Sequence, residues 1–546
     1  MLYKDLAFII LELLLVAGLY LLGGYAAKAL SPKWRLCYAV PLIVCLFVIA
    51  GSGFEKSMLP AYLGTAVLLS GYIKDSVKIR KTACGICGAA FLLSVVICNV
   101  YKGYRAPDYV QDFKNGFAEM KTHYALTEHK GIDWDVLYEK YLPQFEEADK
   151  NHDEIADCLA WNAFAMEFHD GHVAYSPNNE NVEKQASEQI CGNDYGLSLM
   201  TLTNGQTVAV NVEEDSAIAK AGIHNGTVIT AWDGMPIEKA AAQSKETAAK
   251  LQNYASKENE AFYSTLAVAG TGGERVTICY VDDSGVEQTI TADRLGAYAD
   301  RWKESMEILN KGVEISNLEW ENIDDKTALM RMRFMSYDAK ENFSEMEKEI
   351  REKLLALKEA GVTNLIFDLR SNGGGSGSYV EHIIKLIAPE GEHVYACDGV
   401  FDVESLQYKK GAKPGTWEVG ECETYQGEAL WSHGNIIILV NAQTVSAGDH
   451  FTQLASAFPN VTVMGLTHSN CSAQGISSVQ FDYGYLSYSA VLLLKEDGTV
   501  FVDTDYNRES TVPLDIQIPF DEKAVKMMFD DGEDYVLWYA MEYLGR

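Results

Sequence analysis

The spacing of apolar and polar positions changes character three times along the 546-residue chain. Four nearly unbroken apolar runs, at about 6–30, 37–49, 58–73 and 83–101, fill its first hundred residues. The first and last are long enough to span a bilayer. The middle two are short and contain glycine, but can cross by thinning the membrane. The pattern predicts a transmembrane region of four helices over 1–105. A cleaved signal peptide is the rival for the first run, since "AAKALS" offers small residues, yet further apolar runs follow it. From 106 to 188 the rhythm becomes three-and-four, as in "YVQDFKNGFAEMKTHYALTEH" and "HDEIADCLAWNAFAMEFHDGH". That spacing predicts a helical lead-in, its last helix ending on a glycine cap at Gly171 with His172 just beyond. Short strands with turn signals fill 189–299, interrupted by a helical insertion from Glu238 to about Val268. From 300 to 546 strands such as "NLIFDLR" and "NIIIL" alternate with helices, the mark of an α/β core.

Charge changes the picture. Residues 1–105 carry 11 Lys/Arg against 4 Asp/Glu, which leaves 34 against 73 for the remainder of a chain whose net charge is -32. So acidic a body repels phosphates, and nucleic acid is excluded as a partner. The basic connectors, with Lys28, Lys33 and Arg35, then Lys74, Lys78, Arg80 and Lys81, are expected on the cytoplasmic side. The body then lies outside the cytoplasm, and the bilayer itself is a partner. Six cysteines are spread through the body, an even number for an oxidising compartment. Disulfides are possible, Cys397 and Cys422 being the nearest pair. Cys84 and Cys87 sit in an apolar run, where small-residue helix packing is the better reading. No zinc-type spacing occurs, and neither metal nor cofactor is expected.

Two loops carry candidate chemistry. In "VNAQTVSAGDHF" an aliphatic strand runs into Ser446, Ala447 and Gly448 at the start of a helix. Ser446 is either an N-cap reinforced by Asp449 or a nucleophile on a tight turn, where the helix N-terminus and nearby amides stabilise an oxyanion. The loop "DLRSNGGGSG" also joins a buried strand to a helix. Its glycines let amides converge on an anion, but the P-loop lysine is missing.

The order "YGLS", "VAVNVEE", Ser216-Ala217, Ala221-Gly222-Ile223 and "VITAWDGMPI" resembles a PDZ domain. By that resemblance the turn Tyr195, Gly196, Leu197, Ser198 would hold a peptide's terminal carboxylate, and the adjacent strand edge would accept the peptide. With "DLRSNGGG", "VNAQTVSAGDHF" and "ESTVPLDI" following in order, the chain after residue 105 resembles the tail-specific, or C-terminal processing, serine proteases. The resemblance implies a ClpP/crotonase-type core with an inserted PDZ-like domain, Ser446 as nucleophile, and Gly374 and Ala447 as oxyanion amides. Protein or peptide substrates follow from it; oligomeric state does not. Many members place a lysine in a "T-x-G-K-G" segment after the serine, where this chain has Asn470, which cannot take a proton. "HDGHVAY" is similar instead to the tricorn-like branch, which uses a histidine ahead of the PDZ module. That likeness implies a triad of Ser446, His172 and Glu509, histidine being suited to proton transfer near neutral pH.

His468, in the segment that lost its lysine, remains an alternative base; His169 and His450 are less well aimed. Asp503, Asp505 and Asp515 compete with Glu509 for the orienting role, while Arg370 and Asp368 read as structural. Two functions stand: an endopeptidase anchored in the membrane, and an inactive relative that binds through its PDZ groove.

Overall fold

The aromatic positions of the lead-in pack inward from three helices, α1 (Tyr109–His123), α2 (Trp134–Asn151) and α3 (Glu154–Met166). Asp108, Asp133 and Asp153 cap them through their side chains, each satisfying first-turn amides that would otherwise lack partners. Phe113 stacks on Phe145 at 4.3 Å, with Trp161 and Phe164 against the same ring. The chain here is a computed structural model that describes residues 108–310, 318–338 and 340–546. The last lead-in helix stops earlier than its pattern predicts, at Met166, and the left-handed residue is His169 (φ 44°) rather than Gly171.

After this turn β1 (Ala174–Pro177) and α4 (Glu180–Cys191) lead into the second module. Its strands are β2 (Ser198–Thr201), β3 (Thr207–Val210), β4 (Ile229–Trp232), β5 (Arg275–Val281) and β6 (Glu287–Asp293). All pair antiparallel. Between β4 and β5 the insertion forms helices that end in α5 (Glu260–Val268), and α6 (Tyr298–Leu309) closes the module.

The third part is a six-stranded sheet in the order β7 (Glu319–Asn322), β8 (Thr327–Arg331), β9 (Asn364–Asp368), β12 (Asn435–Leu439), β13 (Val461–Gly465), β16 (Ile516–Gln517). Only the β7 to β8 pairing is antiparallel. Strands β8, β9 and most of β12 are buried, as a parallel sheet covered on both faces requires. The covering helices are α7 (Phe343–Glu359), α8 (Gly377–Ile387) and α9 (Ala447–Ala455). Two further strands, β10 (Gly391–Gly399) and β11 (Val419–Gly427), pair beside them, and a disulfide joins Cys397 to Cys422 across that pair. Finally β14 (Gly475–Gln480) and β15 (Gly484–Val491) form a sheet with β1. The lead-in is thereby stitched to the α/β core, and residues 108–546 make one compact unit.

One expectation is corrected. The transmembrane part of the predicted fold is not supported: among the described residues no helix is long and apolar enough to cross a membrane. The longest, α2, buries only one face and keeps charged residues on the other. The four apolar runs fall within residues 1–107, outside the described residues.

Candidate active site

Strand β12 delivers the chain into a loop that is tied down at every turn. Thr444 donates its hydroxyl proton to the Leu369 carbonyl (2.7 Å), Ser371 N–H donates to Asn441 Oδ1 (2.9 Å), and Val445 N–H donates to the Asn372 carbonyl (3.0 Å). The loops after β9 and β12 are thus zipped together. Ser446 follows at φ 61°, ψ -122°, a strained conformation for a residue bearing a side chain. Its hydroxyl makes no capping bond to α9. The N-cap reading therefore fails, and Ser446 stands at the helix N-terminus with its hydroxyl uncommitted by a cap.

Ser446 and His172 line the same cavity of about 510 Å³, together with Gly373, Gly375, Ala447 and His450. The DGH turn reaches this cavity because β1 pairs with β15 (Ala174 opposite Ser487). Ser472, which no sequence motif marks, links that turn to Ser446. Its hydroxyl accepts from Gly171 N–H (2.8 Å), its carbonyl accepts from Ser446 N–H (2.7 Å), and its own amide donates to Asp449 (3.0 Å). His172 is held through its backbone, its amide donating to Asp170 Oδ1 (2.9 Å) and its carbonyl accepting from Ser487 (2.8 Å). The ring's Nδ1 lies 3.5 Å from Ser489 Oγ, and its buried Nε2 has no partner. Burial lowers the imidazole pKa, with Asp170 opposing and Lys130 assisting. A neutral ring with one free nitrogen can accept a proton.

The other candidate residues are placed as follows. Glu509 is exposed and pairs with Lys257 at 2.9 Å. Asp503 is fully buried and paired with Lys130, whose ammonium also donates to the His169 carbonyl (2.8 Å). His450 is buried, stacks on Tyr395 at 4.2 Å, and has its pKa pushed down to about 4 by that burial. His468 is partly buried, and its carbonyl accepts from Asn259 (3.0 Å). Asn470 donates to the Asn253 carbonyl (2.9 Å), so the residue in the lysine's slot braces the loop against the insertion. Arg370 is buried between Asp368 and Asp534, a structural pairing.

The glycine loop approaches Ser446 closely: a Cβ on Gly374 would fall 2.5 Å from Ser446 Cβ. The Gly374 amide, however, donates to Asn372 Oδ1 (2.9 Å). Around the cavity the amides of Gly375 and Ala447 carry no such bond among the described residues. In the second module, Gly196 N–H donates to Asp194 (2.8 Å), Leu197 and Ser198 are buried, and Tyr195 donates to the Gly273 carbonyl (2.7 Å). Ser198 Oγ meets Ser305 and Tyr298 of α6 at 2.8 and 2.9 Å.

Residues 326–502 match the model of peptidase family S41, and residues 106–159 match the tricorn protease C1 domain. The protein is a serine-type peptidase. Solved structures similar to this peptidase include mature CPAF complexed with lactacystin, at 13% identity over 78% of this chain and 96% of that one, with a TM-score of 0.50. Mature CPAF without that compound matches at 13% identity over 78% and 95%, TM-score 0.50. The tricorn protease matches at 14% identity over 80% of this chain and 36% of that one, TM-score 0.34. No curated protein sequence matches.

Proposed function

We propose that this serine peptidase processes extracytoplasmic proteins, with Ser446 as nucleophile and His172 as general base. The observation that carries the reading is the strained, uncapped Ser446 sharing a cavity with an imidazole nitrogen that has no partner. In the reaction Ser446 Oγ attacks the scissile carbonyl carbon while His172 Nε2 takes its proton. The oxyanion receives the amides of Gly375 and Ala447, the latter at the positive end of α9. His172 then protonates the leaving amine, and water releases the acyl group by the same route. Glu509, turned to Lys257, has no part in this scheme. Location outside the cytoplasm is supported by the Cys397–Cys422 disulfide.

Capture of a substrate's carboxyl terminus at the Tyr195–Ser198 turn is a second part of the reading. It is supported by the order of strands around that turn, and it requires the Gly196 amide to leave Asp194. Peptides with free and amidated carboxyl ends distinguish it: equal cleavage of both removes the terminal carboxylate from recognition. The catalytic assignment is tested with a fluorophosphonate probe on the full chain. Wild type should be labelled, while Ser446→Ala and His172→Ala should not. Labelling that survives Ser446→Ala would refute the assignment.

A further inference from the structure

Beside Ser446 the cavity is walled by the pair β10 and β11, and the register of that pair decides which side chains face it. Ala396 lies opposite Glu423, and Cys397 opposite Cys422. Side chains alternate between faces along a strand, which puts Ala396 and Glu423 on one face, while bulges between Val394 and Ala396 and between Cys397 and Gly399 break the alternation at Tyr395 and Asp398. Ala396, Asp398 and Glu423 line the cavity, and so do Tyr395, Ile476 and Leu493. Two solvent-exposed carboxylates, those of Asp398 and Glu423, therefore join a wall that is otherwise apolar. Among the described residues neither has an ion pair, and no Lys or Arg lines the cavity. The same cavity holds the partnerless Nε2 of His172, an atom with under 1 Å² exposed in a residue 8% exposed.

We infer that this wall is the specificity subsite for a cationic substrate side chain, lysine or arginine, next to the scissile bond. The inference rests on the proposed Ser446–His172 site. The apolar wall suits the methylene stem, and the two carboxylates suit the head group, for which a charged hydrogen bond is stronger than a neutral one. A volume of about 510 Å³ admits either side chain. A glutamate there would meet two like charges, and leucine would offer the carboxylates no charged partner.

The test uses the full chain and fluorogenic peptides that differ only at that position, carrying Arg, Lys, Leu or Glu. Wild type should favour Arg and Lys over Leu by about tenfold or more, and over Glu by a wider margin. The double substitution Asp398→Lys, Glu423→Lys should reverse the order, gaining cleavage of the Glu peptide, a gain that a misfolded variant cannot produce. Equal rates on all four peptides in wild type, or a variant that cleaves with the original order, would overturn the inference while Ser446 labelling upholds the site. Absence of both labelling and cleavage in wild type would overturn the site and the inference together.

Discussion

Gly374→Ala probes the site most directly, because its cost follows from two features of the glycine loop. The residue has φ +87°, a region where a side chain costs about 1–2 kcal/mol. The added Cβ would lie 2.5 Å from Ser446 Cβ, 3.0 Å from its Oγ and 3.1 Å from the Val445 carbonyl. Carbons pack at about 3.5–4.0 Å, so serine and loop must separate by about 1 Å. The loop cannot yield easily, since Asn372 grips it at Gly374 N–H (2.9 Å) and at the Met332 carbonyl (2.8 Å). A displacement of about 1 Å in a reacting group costs on the order of 10²-fold in rate. The variant should therefore lose about 10²-fold or more in kcat/KM, measured on an unfolded protein substrate. Thermal unfolding should report a stability loss of about 1–2 kcal/mol from the backbone alone. Gly373→Ala is the control: its Cβ would meet only the Phe334 ring, at 3.1 Å, and Phe334 is exposed and able to turn. A Gly374→Ala enzyme with wild-type kcat/KM would refute the claim that this glycine exists to admit Ser446.

Other outcomes can be stated briefly. Because burial lowers the His172 pKa below its ordinary value, the acid limb of kcat/KM should fall below about 6.5; a limb at more alkaline pH would point to a different base. Ser472→Ala removes the acceptor for Gly171 N–H and should lower kcat by about tenfold, with KM little changed, in steady-state assays. Asp449 is buried and its pKa is raised to about 7. Folding thus favours its protonated form, and this contribution to stability is present below the ordinary aspartate range and lost as pH rises through 7. Asp449→Asn should narrow the difference between melting temperatures at pH 5 and pH 8; an unchanged difference would remove Asp449 as its source. Glu509→Gln should leave kcat near wild type, since Glu509 faces Lys257, and a large loss would restore it to the triad.

The parts of the site that were legible in the sequence are those whose chemistry is local. An aliphatic strand ending in "SAG" marks a turn at Ser446, and three glycines mark a loop free to approach another backbone. The α/β alternation of the core likewise follows from buried apolar strands and amphipathic helices. What stayed hidden depends on contacts between residues distant in sequence. Ser472 meets Gly171 across 301 positions and Ser489 meets His172 across 317, and nothing local to either serine records the pairing. The oxyanion assignment shows the limit most plainly. Gly374 lies against Ser446, yet its amide is spent on Asn372, two residues back, a commitment that three glycines in a row do not announce.

The way His172 is held bears on how it would act as the proposed base. Among the described residues no carboxylate bonds to its ring, and Asp503, the buried acid of the neighbourhood, is paired with Lys130. An imidazolium here would thus gain little from a partner and lose its hydration, in keeping with the lowered pKa. Orientation must come from the backbone instead, through Asp170 and Ser487 on either side of the residue and through Gly171 against the nucleophile loop. A Cβ on Gly171 would fall 2.4 Å from Asn470 Oδ1 and 3.1 Å from Val445 Cγ2. Asn470 is itself fastened to the insertion through Asn253, which also donates to the Val173 carbonyl (3.2 Å). Asn470 also donates to the Ala442 carbonyl (3.3 Å) and, through its backbone amide, to the Thr444 carbonyl (2.8 Å), so the insertion of the second module is tied both to the DGH turn and to the loop that carries Ser446, without touching the His172 ring.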